Sequence, residues 1–377
     1  MKVLTIGSDR KLFEEGSEVL NRVLLYAGKM KELHIIVFSN KKSNLQIKKI
    51  HNLSLYPTNS RSKLSYVSDA YRLGKKIIRE NNFEKSNAVI STQDPFEAGL
   101  VGLLLKKMFD LKLQVQCHTD FSSPEFYNSF LNRIRGVIAR FVIPRCDSIR
   151  VVSGKVAHSI EKKFPNLKSH IEVLPIFVDI ERLRNAPITD NLKEKFPQFD
   201  FIFFMASRLT PEKNIYLALS AFAEVVKKFP KTGLVIAGEG SELKNLKKCI
   251  DEKSLSNNII FIGWQQTLAS FYKTADAFLL TSNFEGYGMT LVEAVACGCP
   301  VITTDVGIAS ELFKGNENNF ICPVGSVDCF VSKMSEIISD ENKKQLLKKL
   351  VQDSITATFS KEEYVNRYVG LLNAILE

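Results

Sequence analysis

The sequence predicts an α/β protein of two doubly wound, Rossmann-like halves. Three observations carry that expectation. The chain has 377 residues, more than one core of ordinary size covers well. Short β-branched apolar runs alternate with longer helical patterns from end to end, as in folds with parallel sheets. The alternation stops once, around Phe177–Phe201, in a stretch rich in Asp, Glu, Asn and Pro, then resumes.

In the first half the predicted strands are Val3–Ile6, His34–Phe38, Ala88–Ser91, Gln114–Cys117, Ser148–Val152 and Ile171–Leu174. Helices are expected between them over Gly16–Ala27, Tyr66–Glu80 and Glu97–Phe109. In the second half the strands are Phe201–Ala206, Gly233–Ala237, Ile259–Ile262, Ala277–Leu280, Val301–Thr303 and Asn319–Ile321. The intervening helices are Ile215–Lys228, Ser241–Lys253, Thr267–Ala275 and Thr290–Cys297. The expected domains are 1–180 and 181–360, and an apolar-spaced helix over 361–377 returns to the first.

Hydrophobic residues make up 45% and charged residues 24%, which excludes a disordered chain, a collagen and a small disulfide scaffold. No apolar run approaches the ~18 residues of a spanning helix. The opening MKVLTIGSDRK reads as a first strand rather than a signal peptide, so a cytoplasmic location is expected. Seven scattered cysteines then argue for reduced thiols. Cys297 and Cys299 are the close pair, without a second pair at zinc-site spacing, and no metal is expected.

The net charge of +10 is uneven. Residues 1–180 hold 29 basic and 17 acidic residues, and the remainder nets −2. A basic half suits a phosphorylated substrate, an anionic membrane or nucleic acid, or is a solvated lysine-rich surface. No aromatic-interleaved basic platform or helix-turn-helix accompanies it, so nucleic acid is not an expected partner.

The most informative stretch is Thr281–Asp305, TSNFEGYGMTLVEAVACGCPVITTD. A strand ends at Leu280, a loop carries Glu285, Gly286 and Gly288, and a helix from Thr290 carries Glu293. At the carboxyl edge of a parallel sheet this loop is where ligands bind. Glycines let the backbone approach a ligand, and the helix N-terminus suits a phosphate. The two acids are acceptors for sugar or ribose hydroxyls, or else capping and surface acids. After Phe201–Ala206, SRLTPEKN supplies Arg208 and Lys213, a possible clamp for a diphosphate. In GLVIAGEGSEL, Gly238 and Gly240 support a tight turn under a nucleotide, but Leu243 stands where a dinucleotide fingerprint needs its third glycine. In the first half, Gly16 is a ligand-approach or simple turn glycine. His118 and Asp120 follow a strand at another carboxyl edge, in a structural or functional role.

Together these strings resemble the retaining glycosyltransferases of family four, strongly over Phe201–Pro323 and more loosely over the first half. FEGYGMTLVEA is similar to their Glu-x-seven-Glu signature, SRLTPEKN to their Arg–Lys pair, and AGEG to their nucleotide turn. Ser207, Ile308 and Asn319 depart from glycines usual in that pattern.

The resemblance implies a GT-B fold, two Rossmann-like domains facing across a cleft, the first meeting the acceptor and the second the donor. It implies a metal-independent hexosyltransferase with no cofactor, acting with retention on a UDP- or GDP-sugar. By resemblance, Arg208 and Lys213 hold the diphosphate, Glu293 the ribose, and Glu285 and His118 the transferred sugar. Backbone at Gly286, Gly288, Met289 and Thr290 meets phosphate or sugar, and the base lies near Gly263 and Trp264. Gly16 borders the donor, and Asp120 is placed on the acceptor side.

The implied acceptor is a glycan or lipid-linked hydroxyl, as in polysaccharide or glycolipid biosynthesis. Arg133, Arg135, Arg140 and Arg145 interleave with Ile134, Ile138, Phe141 and Ile143, the pattern of a segment lying on the inner face of an anionic membrane or of a core helix with basic edges. The alternatives are a nucleotide-sugar epimerase of the same fold and a non-catalytic nucleotide- or nucleic-acid-binding module.

Overall fold

A computed structural model describes residues 1–355 and 359–377. The chain divides into two compact units. One is Met1–Pro175 with Phe359–Glu377, and the other is Ile176–Thr358. The division therefore falls at Pro175, five residues ahead of the expected 180.

The first unit is built on an eight-stranded sheet. Its strands are β1 (Lys2–Gly7), β2 (Glu32–Val37), β3 (Lys48–Ile50), β4 (Leu53–Pro57), β5 (Ala88–Thr92), β6 (Lys112–Cys117), β7 (Ser148–Val151) and β8 (His170–Val173). Their order is β3-β4-β2-β1-β5-β6-β7-β8, parallel except for the β3–β4 edge pair. The sequence reading missed that pair. Lys48 and Lys49 leave β3 too polar and too short to register as a strand, and β4 is completed only by its pairing with β2. Successive strands build outward from β1 through β2 to β4. The chain then returns to β5 on the other side of β1, so the connections diverge between β1 and β5.

The second unit carries a six-stranded, wholly parallel sheet: β9 (Phe201–Ala206), β10 (Thr232–Ala237), β11 (Ile259–Gly263), β12 (Ala277–Leu280), β13 (Val301–Thr304) and β14 (Ile321–Cys322). Its order, β11-β10-β9-β12-β13-β14, puts the divergence between β9 and β12. Strands β9 and β10 are buried along their whole length, which is why they read as continuous apolar runs rather than as alternation. The core around them includes Phe203, Phe204, Phe222, Phe278 and Tyr272, all fully buried.

Local corrections have physical causes. Asn319 lies in the short helix Glu317–Phe320, and only Ile321–Cys322 pairs with β13. The helix expected from Gly16 starts at Glu18, because Ser17 takes the N-cap and accepts from Leu20 N–H at 3.2 Å. The thiols are not all reduced. Cys322 is disulfide-bonded to Cys329, seven residues on, while the other five cysteines are free.

The final helix, Lys361–Asn373, opens with a capping box between Ser360 and Glu363. It packs in the first unit through Tyr364, Val365, Tyr368, Val369 and Leu372, and Tyr368 stacks on Tyr26 with ring centroids 4.5 Å apart. No helix of the described residues is long and apolar enough to cross a membrane.

Candidate active site

In an open parallel sheet, ligands bind beyond the carboxyl ends of the strands where connections diverge. In the second unit that point lies between β9 and β12. The loop leaving β9 carries Ser207–Lys213, and the loop leaving β12 carries Thr281–Gly288.

These two loops are stitched together. Thr281 Oγ1 donates to the Lys213 carbonyl at 3.1 Å, Asn283 N–H to the Glu212 carbonyl at 2.8 Å, and Asn214 Nδ2 to Asn283 Oδ1 at 2.9 Å. Asn214 itself takes a left-handed conformation, φ 44°, and starts the helix Ile215–Lys228.

Across that stitching Lys213 and Glu285 form an ion pair, Nζ to Oε1 at 2.5 Å, each side chain only 14% exposed. Ser282 Oγ donates to the same carboxylate oxygen at 2.8 Å. Arg208 is not in this pair. Its side chain is 74% exposed and contacts Glu212 at 3.3 Å, one helical turn away in sequence. The structure thus brings Lys213 and Glu285 together and leaves Arg208 at the rim.

Behind Glu285 the chain turns through Gly286 and Gly288. Gly288 has φ +93°, the left-handed region, and stands as N-cap of the helix Met289–Ala296. The first N–H groups of such a helix, at Met289 and Thr290, lack intrahelical acceptors and carry the positive end of its dipole. Glu293 lies one turn into that helix and accepts from the hydroxyl of Tyr272 at 3.2 Å. Burial first, and then the Glu293 carboxylate, push the Tyr272 phenol well above its usual range, so it stays a donor to that acid.

The glycines of AGEG form the tight turn expected of them, and its immediate cause is the neighbouring backbone. Gly238 has φ +132°, and a Cβ there would stand 1.8 Å from the Ser207 carbonyl oxygen. A Cβ at Gly240 would stand 2.2 Å from the Leu209 carbonyl oxygen. Leu209 N–H donates to the Glu239 carbonyl at 2.8 Å, and Gly238 N–H to the Gly263 carbonyl at 2.7 Å. The turn is glycine-rich because the neighbouring backbone crowds it. Gly263 has φ +68° with open space around it, and the Trp264 side chain beside it is 60% exposed. Ile308, where a glycine was expected, donates its N–H to the Tyr287 carbonyl at 3.0 Å and packs on Ile180, Val292 and Ala296.

In the first unit, Gly16 has φ +74° and open space where a Cβ would be. His118 and Asp120 follow β6 but serve different networks. His118 Nε2 faces Gln116 Oε1 at 3.0 Å. Asp120 accepts from Ser122 N–H at 3.0 Å and Ser159 Oγ at 3.4 Å. His118 has a solvent-exposed side, yet desolvation of the ring first, and then the Arg150 and Arg22 guanidiniums, hold its pKa below the ordinary imidazole range. It is therefore a neutral ring at pH 7. Burial, the largest influence, raises the Asp120 pKa.

One residue escaped the sequence reading. Asp94 follows β5 at the divergence point of the first sheet, and its Oδ1 accepts from Phe96 N–H at 2.8 Å and Ala98 N–H at 3.2 Å. Desolvation lifts its pKa to about 6. The string QDPFE held the signal, an acid before a proline at a helix start.

Comparison with known proteins places both halves of the chain in one family. The family model described as "Glycosyltransferase Family 4" matches residues 21–182, and that described as "Glycosyl transferases group 1" matches residues 189–353. An uncharacterized glycosyltransferase of Methanocaldococcus jannaschii is 28% identical over 260 residues, which is 66% of this chain and 60% of that protein. Alpha-monoglucosyldiacylglycerol synthase of Streptococcus pneumoniae is 28% identical over 226 residues, 57% of this chain and 51% of that protein. The chain thus spans between half and three fifths of these relatives' lengths. Among solved structures, Anabaena HepE in complex with UDP and glucose superposes with a TM-score of 0.74 at 18% identity, covering 99% of this chain and 100% of that one. With both halves matched in order and both sheets of Rossmann type, the chain belongs to the family-four-like glycosyltransferases of GT-B architecture.

Proposed function

We propose that this protein moves a hexosyl group from a UDP- or GDP-sugar to a hydroxyl of a glycan or lipid-linked acceptor, with retention at the anomeric carbon and without a metal. The Lys213–Glu285 pair at the divergence point of the second sheet carries this reading. A leaving diphosphate gathers negative charge as the glycosidic bond breaks. A fixed cation and the N-terminus of Met289–Ala296 oppose that charge without reorganising. Glu285 then accepts from hydroxyls of the transferred sugar and Glu293 from those of the ribose, while Arg208 swings from the rim onto the diphosphate. The acceptor hydroxyl attacks the face the phosphate is leaving as the bond from the anomeric carbon to the phosphate oxygen breaks, and its proton passes to that departing oxygen, which retains configuration without a protein nucleophile. Neutral His118 meets the donor sugar by hydrogen bonding. In support, Anabaena HepE, which shares the fold, forms a complex with UDP and glucose.

The test is incubation of the purified protein with a panel of UDP- and GDP-sugars and lipid-linked or glycan acceptors, in chelator. Acceptor-dependent release of nucleoside diphosphate, with an α-linked product from an α-linked donor, is expected. A new sugar nucleotide formed without acceptor would instead make the protein an epimerase. Binding without turnover would make it a binding module.

A lipid-linked acceptor has its own support in the helix Phe130–Val142. Phe130 is 78%, Val137 66% and Leu131 51% exposed, with Ile134 and Phe141 beside them. Arg133, Arg140 and Arg145 flank this face, whereas Arg135 turns inward to Glu97 at 3.0 Å, and Ile143 is buried. Exposed apolar residues among cations suit an anionic bilayer surface, and one relative is named as a glycolipid synthase. Sedimentation with anionic vesicles that falls away at high salt is the expected result. Binding to neutral and anionic vesicles alike, or to neither, would refute it.

A further inference from the structure

Arg150 lies in β7, 5% exposed, and no carboxylate of the described residues is within ion-pair distance of it. Its Nη1 donates to Gln116 Oε1 at 2.8 Å, and its Nη2 donates to the Leu174 carbonyl at 3.2 Å and to the Tyr364 hydroxyl at 2.8 Å. Its guanidinium stands 5.3 Å from the centre of the Tyr368 ring, and its Nε has no partner. A buried cation held only by neutral acceptors is costly to keep. Packing alone would be served by a methionine or leucine.

What the cation does is fix an amide. Arginine can only donate, so the side of Gln116 that faces Arg150 must be its oxygen. The Gln116 Nε2 then points away and donates to Ser91 Oγ at 2.9 Å and to the Tyr368 hydroxyl at 3.3 Å. The same Oε1 lies 3.0 Å from His118 Nε2. An oxygen cannot donate, so His118 must present Nε2–H to it. Each step leaves a single arrangement of donors and acceptors.

We propose that Arg150 and Gln116 are positioning residues that hold His118 as its Nε2–H tautomer, leaving Nδ1 as an acceptor for a ligand hydroxyl at the carboxyl edge of the first sheet. The relay is braced from the C-terminal helix by the Tyr364 and Tyr368 hydroxyls, which accept from Arg150 Nη2 and Gln116 Nε2. The charged groups acting on the ring, Arg150 from β7 and Arg22 from the helix Glu18–Gly28, are both cations and oppose its protonation. This inference rests on the proposed donor role of His118 only for its kinetic consequence.

The experiment is nitrogen NMR of the full-length protein labelled at its five histidines, with His118 identified by the signal lost in His118→Gln. At pH 7 the wild type should show a protonated Nε2 and an unprotonated Nδ1. Gln116→Leu should convert this to a mixture of tautomers and raise the donor KM about tenfold, the value of one hydrogen bond of ~1.4 kcal/mol, with a smaller change in kcat. Gln116→Glu keeps the side-chain volume and pairs with Arg150, so it folds even where the leucine variant does not. Its carboxylate should raise the pH at which His118 titrates. A wild-type ring protonated at Nδ1, or a His118 titration unmoved in Gln116→Glu, overturns the relay. A shifted tautomer with an unchanged KM sustains the relay and instead removes His118 from the donor site.

Discussion

The carboxyl edges of the two sheets are topologically alike and chemically opposite. In the second unit the divergence of β9 and β12 holds a cation and an anion in contact, Lys213 and Glu285, buried to the same degree. In the first unit the corresponding edge holds an open glycine, a neutral imidazole and an arginine whose Nη groups donate to uncharged acceptors. The difference teaches where charge is needed. Fixed opposite charges suit a ligand whose own charge changes during reaction. A neutral array with fixed donor and acceptor polarity suits hydroxyls, which exchange hydrogen bonds and gain no charge.

The contrast is broken most directly at Lys213. Lys213→Ala should lower turnover by about a thousandfold or more, roughly 4 kcal/mol of transition-state stabilisation. It should also cost some stability, because Glu285 loses its partner in a half-buried setting. Glu285→Gln should lower turnover comparably and leave the melting temperature between that of Lys213→Ala and wild type, since the lysine loses its counter-charge but keeps an amide oxygen to donate to. Wild-type turnover in both variants would remove the site from this edge.

Glycines sharpen the same contrast through the backbone. Gly238→Ala should destabilise the second unit by on the order of 3 kcal/mol or more, because its Cβ would enter the Ser207 carbonyl. Gly16→Ala meets nothing within 4 Å, so only its positive φ resists, at about 1 kcal/mol. Denaturant melts measure both. A Gly16→Ala protein that folds but binds donor far more weakly would show that a ligand approaches that backbone. Unchanged binding would make Gly16 a turn residue only.

Much of this was legible in the sequence, for reasons that also mark the limits. Strands β9 and β10 are apolar throughout because helices cover both faces, and such runs announce themselves. The loop from Glu285 to Glu293 was legible because glycines, acids and a helix start coincide at a strand end. Strands β3 and β4 were not, since their pairing is a tertiary fact. Neither was the pairing of Lys213 with Glu285 rather than with Arg208 in a joint clamp, which depends on how two loops 72 residues apart are stitched. The cause of Gly238 was hidden for the same reason. The Arg150 relay spans 214 residues to Tyr364, and no local pattern carries it.

Asp94 gives the finest distinction between the edges. Glu285 has a lysine against it, whereas Asp94 has backbone N–H groups, with Glu97 repelling it and Arg135 attracting it more weakly than burial opposes it. Its folded pKa of about 6 lies above the ordinary 3.8. The folded state therefore binds this proton more tightly than the unfolded chain does. The associated stability is fully present below about pH 4 and is lost as pH rises through 6, a span worth about 1–3 kcal/mol. Asp94→Asn retains an Oδ1 acceptor for Phe96 and Ala98 but does not titrate. Melts across pH 4 to 8 should show the variant gaining on wild type as pH rises, with the gap levelling above 7. Parallel curves would mean that the carboxylate is solvated in the folded protein and that its capping bonds already offset its burial. In that case the anion that Asp94 becomes above pH 6 would cost the first edge nothing, and the contrast between the edges would narrow to Lys213 and Glu285 alone.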